Sequence, residues 1–131
     1  MARAFAMKYA AARLFVALGA LSAAVSVVLG AAGAHMLGGL PETVAHWFRT
    51  ALQYQQFHAL GLVLVGLAAE RAGNRWVLAA GALMVAGTLL FSGNLYLRAL
   101  ADFHALHAVT PFGGGAFILG WLALAIGALK R

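Results

Sequence analysis

From residue 14 to residue 34 the chain carries no charged side chain. A helix rises 1.5 Å per residue, so about 20 such residues cross the roughly 30 Å of hydrocarbon in a bilayer. Residues 76–97 and 111–129 are uncharged runs of the same kind. Three membrane-length segments within 131 residues leave little chain for anything except a helical membrane protein. Composition agrees, because 9% of residues are charged where a soluble domain carries about 25%. An all-α, integral membrane four-helix bundle is therefore expected, as a single transmembrane domain over residues 1–131. Its helices are placed at about 14–35, 41–70, 76–97 and 111–129.

The second of these helices is the unusual one. Gln53, Tyr54, Gln55, Gln56 and His58 crowd the start of a run that stays apolar from Ala59 to Ala69. Polar side chains in a membrane segment are costly without partners. Upstream, Pro41 suits the first turn of a helix and Glu42 suits its positive end. Val44, Trp47, Phe48, Ala51 and Leu52 follow helical spacing, so this start is read as interfacial, with Trp47 as a belt residue.

The remaining segments read more simply. A basic start, an apolar run and Ala32-Gly33-Ala34 resemble a signal peptide, but the run exceeds the usual 7–15-residue apolar region, so a retained helix is expected. Gly19, Ala23, Ser26, Gly30 and Gly33 form a stripe of small residues on helix 1, suited to close helix contact. Gly73-Asn74 is a turn signal that makes helices 2 and 3 antiparallel neighbours. Thr88, Ser92 and Tyr96 are four apart and are assigned to one face of helix 3, with Asn94 on another. Thr110-Pro111 reads as N-cap followed by first helical residue.

The net charge of +6 comes from nine Lys+Arg against three Asp+Glu. The cations sit at the ends of apolar runs, not on one solvated face, so no nucleic-acid role is expected. Arg3, Lys8, Arg13, Arg71, Arg75, Lys130 and Arg131 fall on one side, and Arg49 and Arg98 on the other. The positive-inside rule then places the N and C termini in the cytoplasm of a plasma (bacterial inner) membrane protein. All five histidines are expected at or near the outer boundary. The chain has no cysteine, which excludes disulfides and thiolate metal sites.

Four stretches occur in a telling order: Gly30-Ala31-Ala32-Gly33-Ala34-His35, Thr50 through Leu60, Phe91-Ser92-Gly93-Asn94-Leu95-Tyr96, and Thr110-Pro111-Phe112-Gly113-Gly114 followed by Gly120-Trp121. Together they resemble the small membrane family of YgdD-like and transmembrane protein 256-like proteins, a domain of unknown function. The resemblance runs from about Leu14 to Leu129. It implies a four-helix membrane fold and adds little chemistry. Asn94 stands where a small residue is expected, Met36 where a glycine is usual, and His46, His104 and His107 lie outside the family pattern.

Candidate chemistry centres on a pocket for a ligand or partner built from Gln53, Tyr54, Gln55, His58, Ser92, Tyr96 and Thr110. Tyr54 and His58 share a helix face. Membrane lipids are the expected surroundings, with a membrane protein complex or homo-oligomer as the wider setting. The alternative is a copper or zinc site from His35, His58, His104 and His107, or a haem between two of these histidines. A third reading is a purely structural subunit of a larger membrane complex. The acids Glu42, Glu70 and Asp102 form no general acid–base pair, no nucleophile–base motif is visible, and no catalytic residue is assigned.

Overall fold

A computed structural model describes residues 1–130; Arg131, counted above among the basic residues, lies outside them. Four helices account for most of the chain: α1 (Ala2–Met36), α2 (Glu42–Ala72), α3 (Arg75–Ala101) and α4 (Thr110–Leu129). A six-residue π turn, Thr88–Gly93, interrupts α3. Short 3₁₀ turns at Leu37–Gly39 and His107–Val109 lead out of α1 and into α4.

Three of the four helices are long and apolar enough to cross a membrane: α1 with its following turn, α3, and α4 with its preceding turn. The 31-residue α2 is longer than α3 or α4. Its polar cluster lowers its hydropathy. α1 starts at Ala2 rather than near residue 14, because residues 2–12 are rich in alanine and contain no helix breaker. Residues 1–10 are exposed.

Small residues repeat every seven positions on two helices. Ala12, Gly19, Ser26 and Gly33 are the buried residues of α1, and Gly113, Gly120 and Gly127 are buried on α4. A seven-residue repeat keeps one seam facing its partner along a gently supercoiled pair. The seams are tight. A Cβ on Gly19 would lie 2.7 Å from the Ala59 carbonyl oxygen, and one on Gly66 would lie 2.8 Å from that of Ala12. On α4, a Cβ on Gly127 would lie 2.7 Å from Val77 Cγ2. The chain is thus two close hairpins, α1–α2 and α3–α4, and α2 also packs against α3 and α4.

Side-chain sizes are distributed inside out. Leu21, Val28, Leu64, Leu89, Phe112 and Ile118 are all exposed, while Gln55, His58, Ser92 and Asn94 are buried. Water would penalise that surface, whereas lipid tails accept it. The apolar core of Ala12, Leu62, Val65, Ala69, Val77, Ala80, Met84 and Ala123 fills one half of the bundle.

Asn74 closes that half. Its Oδ1 accepts from the Trp76 and Val77 N–H groups at 3.0 and 3.1 Å, capping α3. Its Nδ2 donates to the Gly127 and Lys130 carbonyls at 2.8 and 2.9 Å, tying down the end of α4. The α2–α3 connector, the start of α1 (through Lys8, which would lie 3.6 Å from a Cβ on Gly73) and the end of α4 therefore share one end, the terminal end. The two longer connections form the opposite, loop end.

Candidate functional site

The polar residues of α2 divide between two sides of the helix, because neighbours in a helix point about 100° apart. Gln55 is buried and turned toward α1 and α3. Its Nε2 donates to the Ser22 carbonyl at 3.1 Å, and its Oε1 accepts from the Tyr96 hydroxyl at 2.6 Å. One amide thus joins three helices. Phe48 packs edge-on against the Tyr96 ring, with centroids 5.4 Å apart.

Tyr54 and His58 face the other way. The His58 ring stacks on Phe117 of α4, with centroids 3.5 Å apart and planes at 11°. Tyr54 lies against Phe91 of α3 at 4.4 Å. Gln53, Tyr54, Phe57, His58, Phe91, Gly114, Phe117, Ile118 and Trp121 line a lateral cavity of about 440 Å³ between α2 and α4. His58 also borders a second cavity of about 190 Å³, where Leu18, Ser22, Val85 and Thr88 are among the walls.

His58 Nδ1 lies 2.7 Å from the Tyr54 carbonyl oxygen. A carbonyl only accepts, so Nδ1 carries the proton and Nε2 keeps its lone pair. Among the described residues nothing hydrogen-bonds Nε2. The imidazole is therefore an acceptor fixed in orientation, set in an aromatic wall.

α2 begins at Glu42, close to the expected residue 41, so His58 lies 16 residues along it, about 24 Å from its start. Its partner Phe117 is seven residues into the twenty-residue α4. His58 is thus buried near the middle of α2.

The third group lies on α3 and at the start of α4. Asn94, which the sequence set apart, is buried, and its Nδ2 donates to the Leu106 carbonyl at 2.5 Å and to Thr110 Oγ1 at 2.7 Å. Thr110 is the first residue of α4, its cap position falls on Val109, and its side chain caps nothing. Ser92 is buried, but its Oγ has no partner; Asn94 Oδ1 is likewise unpaired. The proposed pocket residues therefore occupy three places. Gln53, Tyr54 and His58 line the lateral cavity, Gln55 and Tyr96 form the interhelical link, and Thr110 belongs to the α3–α4 contact, while Ser92 is buried in the π turn apart from these hydrogen bonds.

A family model described as a protein of unknown function, DUF423, matches residues 29–114. The membrane protein YwdK of Bacillus subtilis, a UPF0382 protein, is 42% identical over 120 residues, covering 90% of this chain and 98% of its own length. The UPF0382 membrane protein SERP0230 of Staphylococcus epidermidis is 43% identical over 121 residues, covering 90% and 97%. The UPF0382 inner membrane protein YgdD of Escherichia coli is 36% identical over 119 residues, covering 90% and 91%.

This chain belongs to the DUF423 (UPF0382) family. It is a membrane protein of that family, as the resemblance implied. No solved structure matches it. The DUF423 match contains Tyr54, Gln55, His58, Asn94, Tyr96 and Thr110, but stops before Phe117 and Trp121, which complete the cavity wall.

The other histidines of this DUF423 chain lie apart from His58. His35 is exposed at the end of α1. His104 Nε2 lies 2.7 Å from Asp102 Oδ1 in the α3–α4 loop, and the His104 carbonyl accepts from His107 Nδ1 at 3.1 Å. Among the described residues, no three His, Asp or Glu side chains converge as metal ligands would. Sequence reasoning missed Ser22 and Phe117, and quoted Phe91 and Trp121 only within the family stretches, with no place at the site. Only the packing of helices distant in sequence brings these four to it.

Proposed function

We propose that this DUF423 chain spans the bacterial inner membrane four times with both termini in the cytoplasm. We further infer that it is a small binding or accessory subunit whose lateral cavity takes a lipid-like amphiphile. One observation carries the binding reading. His58, a buried imidazole with its Nδ1 proton already committed, borders a partly open cavity walled by aromatic rings. Ionisable groups at membrane depth are functional suspects. An acceptor nitrogen beside flat rings selects a ligand with a hydroxyl or amide donor and an apolar body. Six basic residues at the terminal end, Arg3, Lys8, Arg13, Arg71, Arg75 and Lys130, support the orientation.

Lipid extracts of the gently purified protein test the ligand. Wild type is expected to carry one amphiphile near stoichiometry, and His58→Phe and Gly114→Leu to lose it. Gly114 lines the cavity, and a Cβ there meets nothing nearer than Phe91 Cδ2 at 3.8 Å, so leucine fills the cavity without displacing backbone. Identical extracts from all three proteins would end this reading. The cysteine-free chain makes topology equally direct. A cysteine at Gly38, where an added Cβ meets nothing, should label from outside the cell, and one at Lys130 from inside.

A further inference from the structure

Arg98 lies three residues before the end of α3, at the loop end. Its guanidinium carbon sits 4.3 Å above the Trp47 ring of α2. His104 meets the same ring at 5.4 Å, near perpendicular. Trp47 thus fixes the cation in place, since a guanidinium over an indole face is attracted to it.

What the cation lacks is a hydrogen-bonding partner. Arg98 makes no hydrogen bond or ion pair with any described residue, and its buried Nε is unpaired. The two acids at this end are engaged elsewhere: Glu42 bonds Arg49 at 2.9 Å, and Asp102 bonds His104 at 2.7 Å. Glu70 lies on α2 near the opposite end. A guanidinium presents five donors in a planar fork that matches the oxygens of a phosphate. Leu97, exposed and one residue further into α3, sits next to Arg98, so apolar surface begins beside the charge.

We propose that Arg98, held over Trp47, binds a phosphate-type oxyanion, the phosphodiester of an anionic lipid headgroup whose chains run from Leu97 back along α3. This site is separate from the His58 cavity and does not rest on it.

Lipid retention tests it. The full-length protein is placed in nanodiscs of phosphatidylcholine with a minor share of phosphatidylglycerol, and the lipid that stays bound is counted by native mass spectrometry. Wild type should enrich phosphatidylglycerol. Arg98→Gln should lower that enrichment about tenfold, which corresponds to about 1.4 kcal/mol, because it removes a charge-assisted contact. Arg98→Lys, which keeps the charge and loses the fork, should fall between. Arg49→Gln should match wild type, because Arg49 is already paired. The proposal is overturned if Arg98→Gln retains phosphatidylglycerol like wild type, or if Arg49→Gln loses as much. Displacement by inorganic phosphate would keep the oxyanion site and make a free anion its occupant; no displacement assigns the lipid. Equal thermal melting of the three variants and wild type shows that loss of binding is not loss of fold.

Discussion

The two halves of the bundle are built from different materials. Toward the terminal end, helices meet through alanine, glycine and aliphatic side chains, and Asn74 satisfies four backbone groups at once. Toward the loop end, buried polar atoms accumulate, and Ser92 Oγ, Asn94 Oδ1 and Arg98 Nε have no partner. All three lie within or beyond the π turn of α3, on its loop side. A fully satisfied half can hold the fold, while an under-satisfied half retains the capacity to bind. Buried unpaired groups and π turns both concentrate at functional sites.

Glycines give the sharpest contrast. Gly66→Ala would put a Cβ 2.8 Å from both the Ala12 oxygen and the Val16 nitrogen. Both are backbone atoms, so α1 and α2 must separate. A loss of about 3 kcal/mol is expected, at the upper end for overpacking, and is measurable by thermal or denaturant unfolding in detergent. Gly114→Ala should be neutral within about 0.5 kcal/mol, as at sites with room. Equal effects at the two positions would erase the distinction between the α1–α2 seam and the cavity wall.

Gln55→Leu is expected to rank next. It removes the link between Ser22 and Tyr96 and leaves the tyrosine hydroxyl unpaired, for a loss of about 2 kcal/mol. Asn74→Ala should follow at about 1 kcal/mol, the usual value of a helix cap, with hydrogen exchange fastest at the start of α3 and the end of α4. If Gln55→Leu proved harmless while His58→Phe destabilised strongly, the structural and binding roles of these two faces of α2 would be reversed.

Much of the fold was legible because bilayer thickness and uncharged runs fix helix number and approximate ends. The seven-residue spacing of Gly113, Gly120 and Gly127 could also have been read directly from the chain. The site was less legible. Gln55 and Tyr54 are adjacent in sequence and point about 100° apart, yet which side faces a cavity depends on Phe117, far away in the chain. The spacing of Thr88, Ser92 and Tyr96 suggested a single face; Thr88 and Tyr96 do both turn toward α1 and α2, but the π turn between them was not legible. No residue type announces such a turn; here Gly113 lets α4 approach it so closely that a Cβ would lie 2.5 Å from the Phe91 nitrogen.

Ser92 should give the smallest change and the most telling sign. In an ordinary helix a hydroxyl donates to the carbonyl four residues back, as Thr88 does to Met84 at 2.9 Å. The corresponding carbonyl for Ser92 belongs to Thr88, at the start of the π turn, and no bond forms. Ser92→Ala therefore deletes an unpaired buried hydroxyl and improves helix propensity. Stability should stay level or rise by up to about 1 kcal/mol, read as a shift in unfolding midpoint. A loss of about 1 kcal/mol or more would mean that the hydroxyl has a partner in the membrane. Repeating the measurement on delipidated protein would then separate a bound lipid, whose contribution disappears with the lipid, from a trapped water, whose contribution remains.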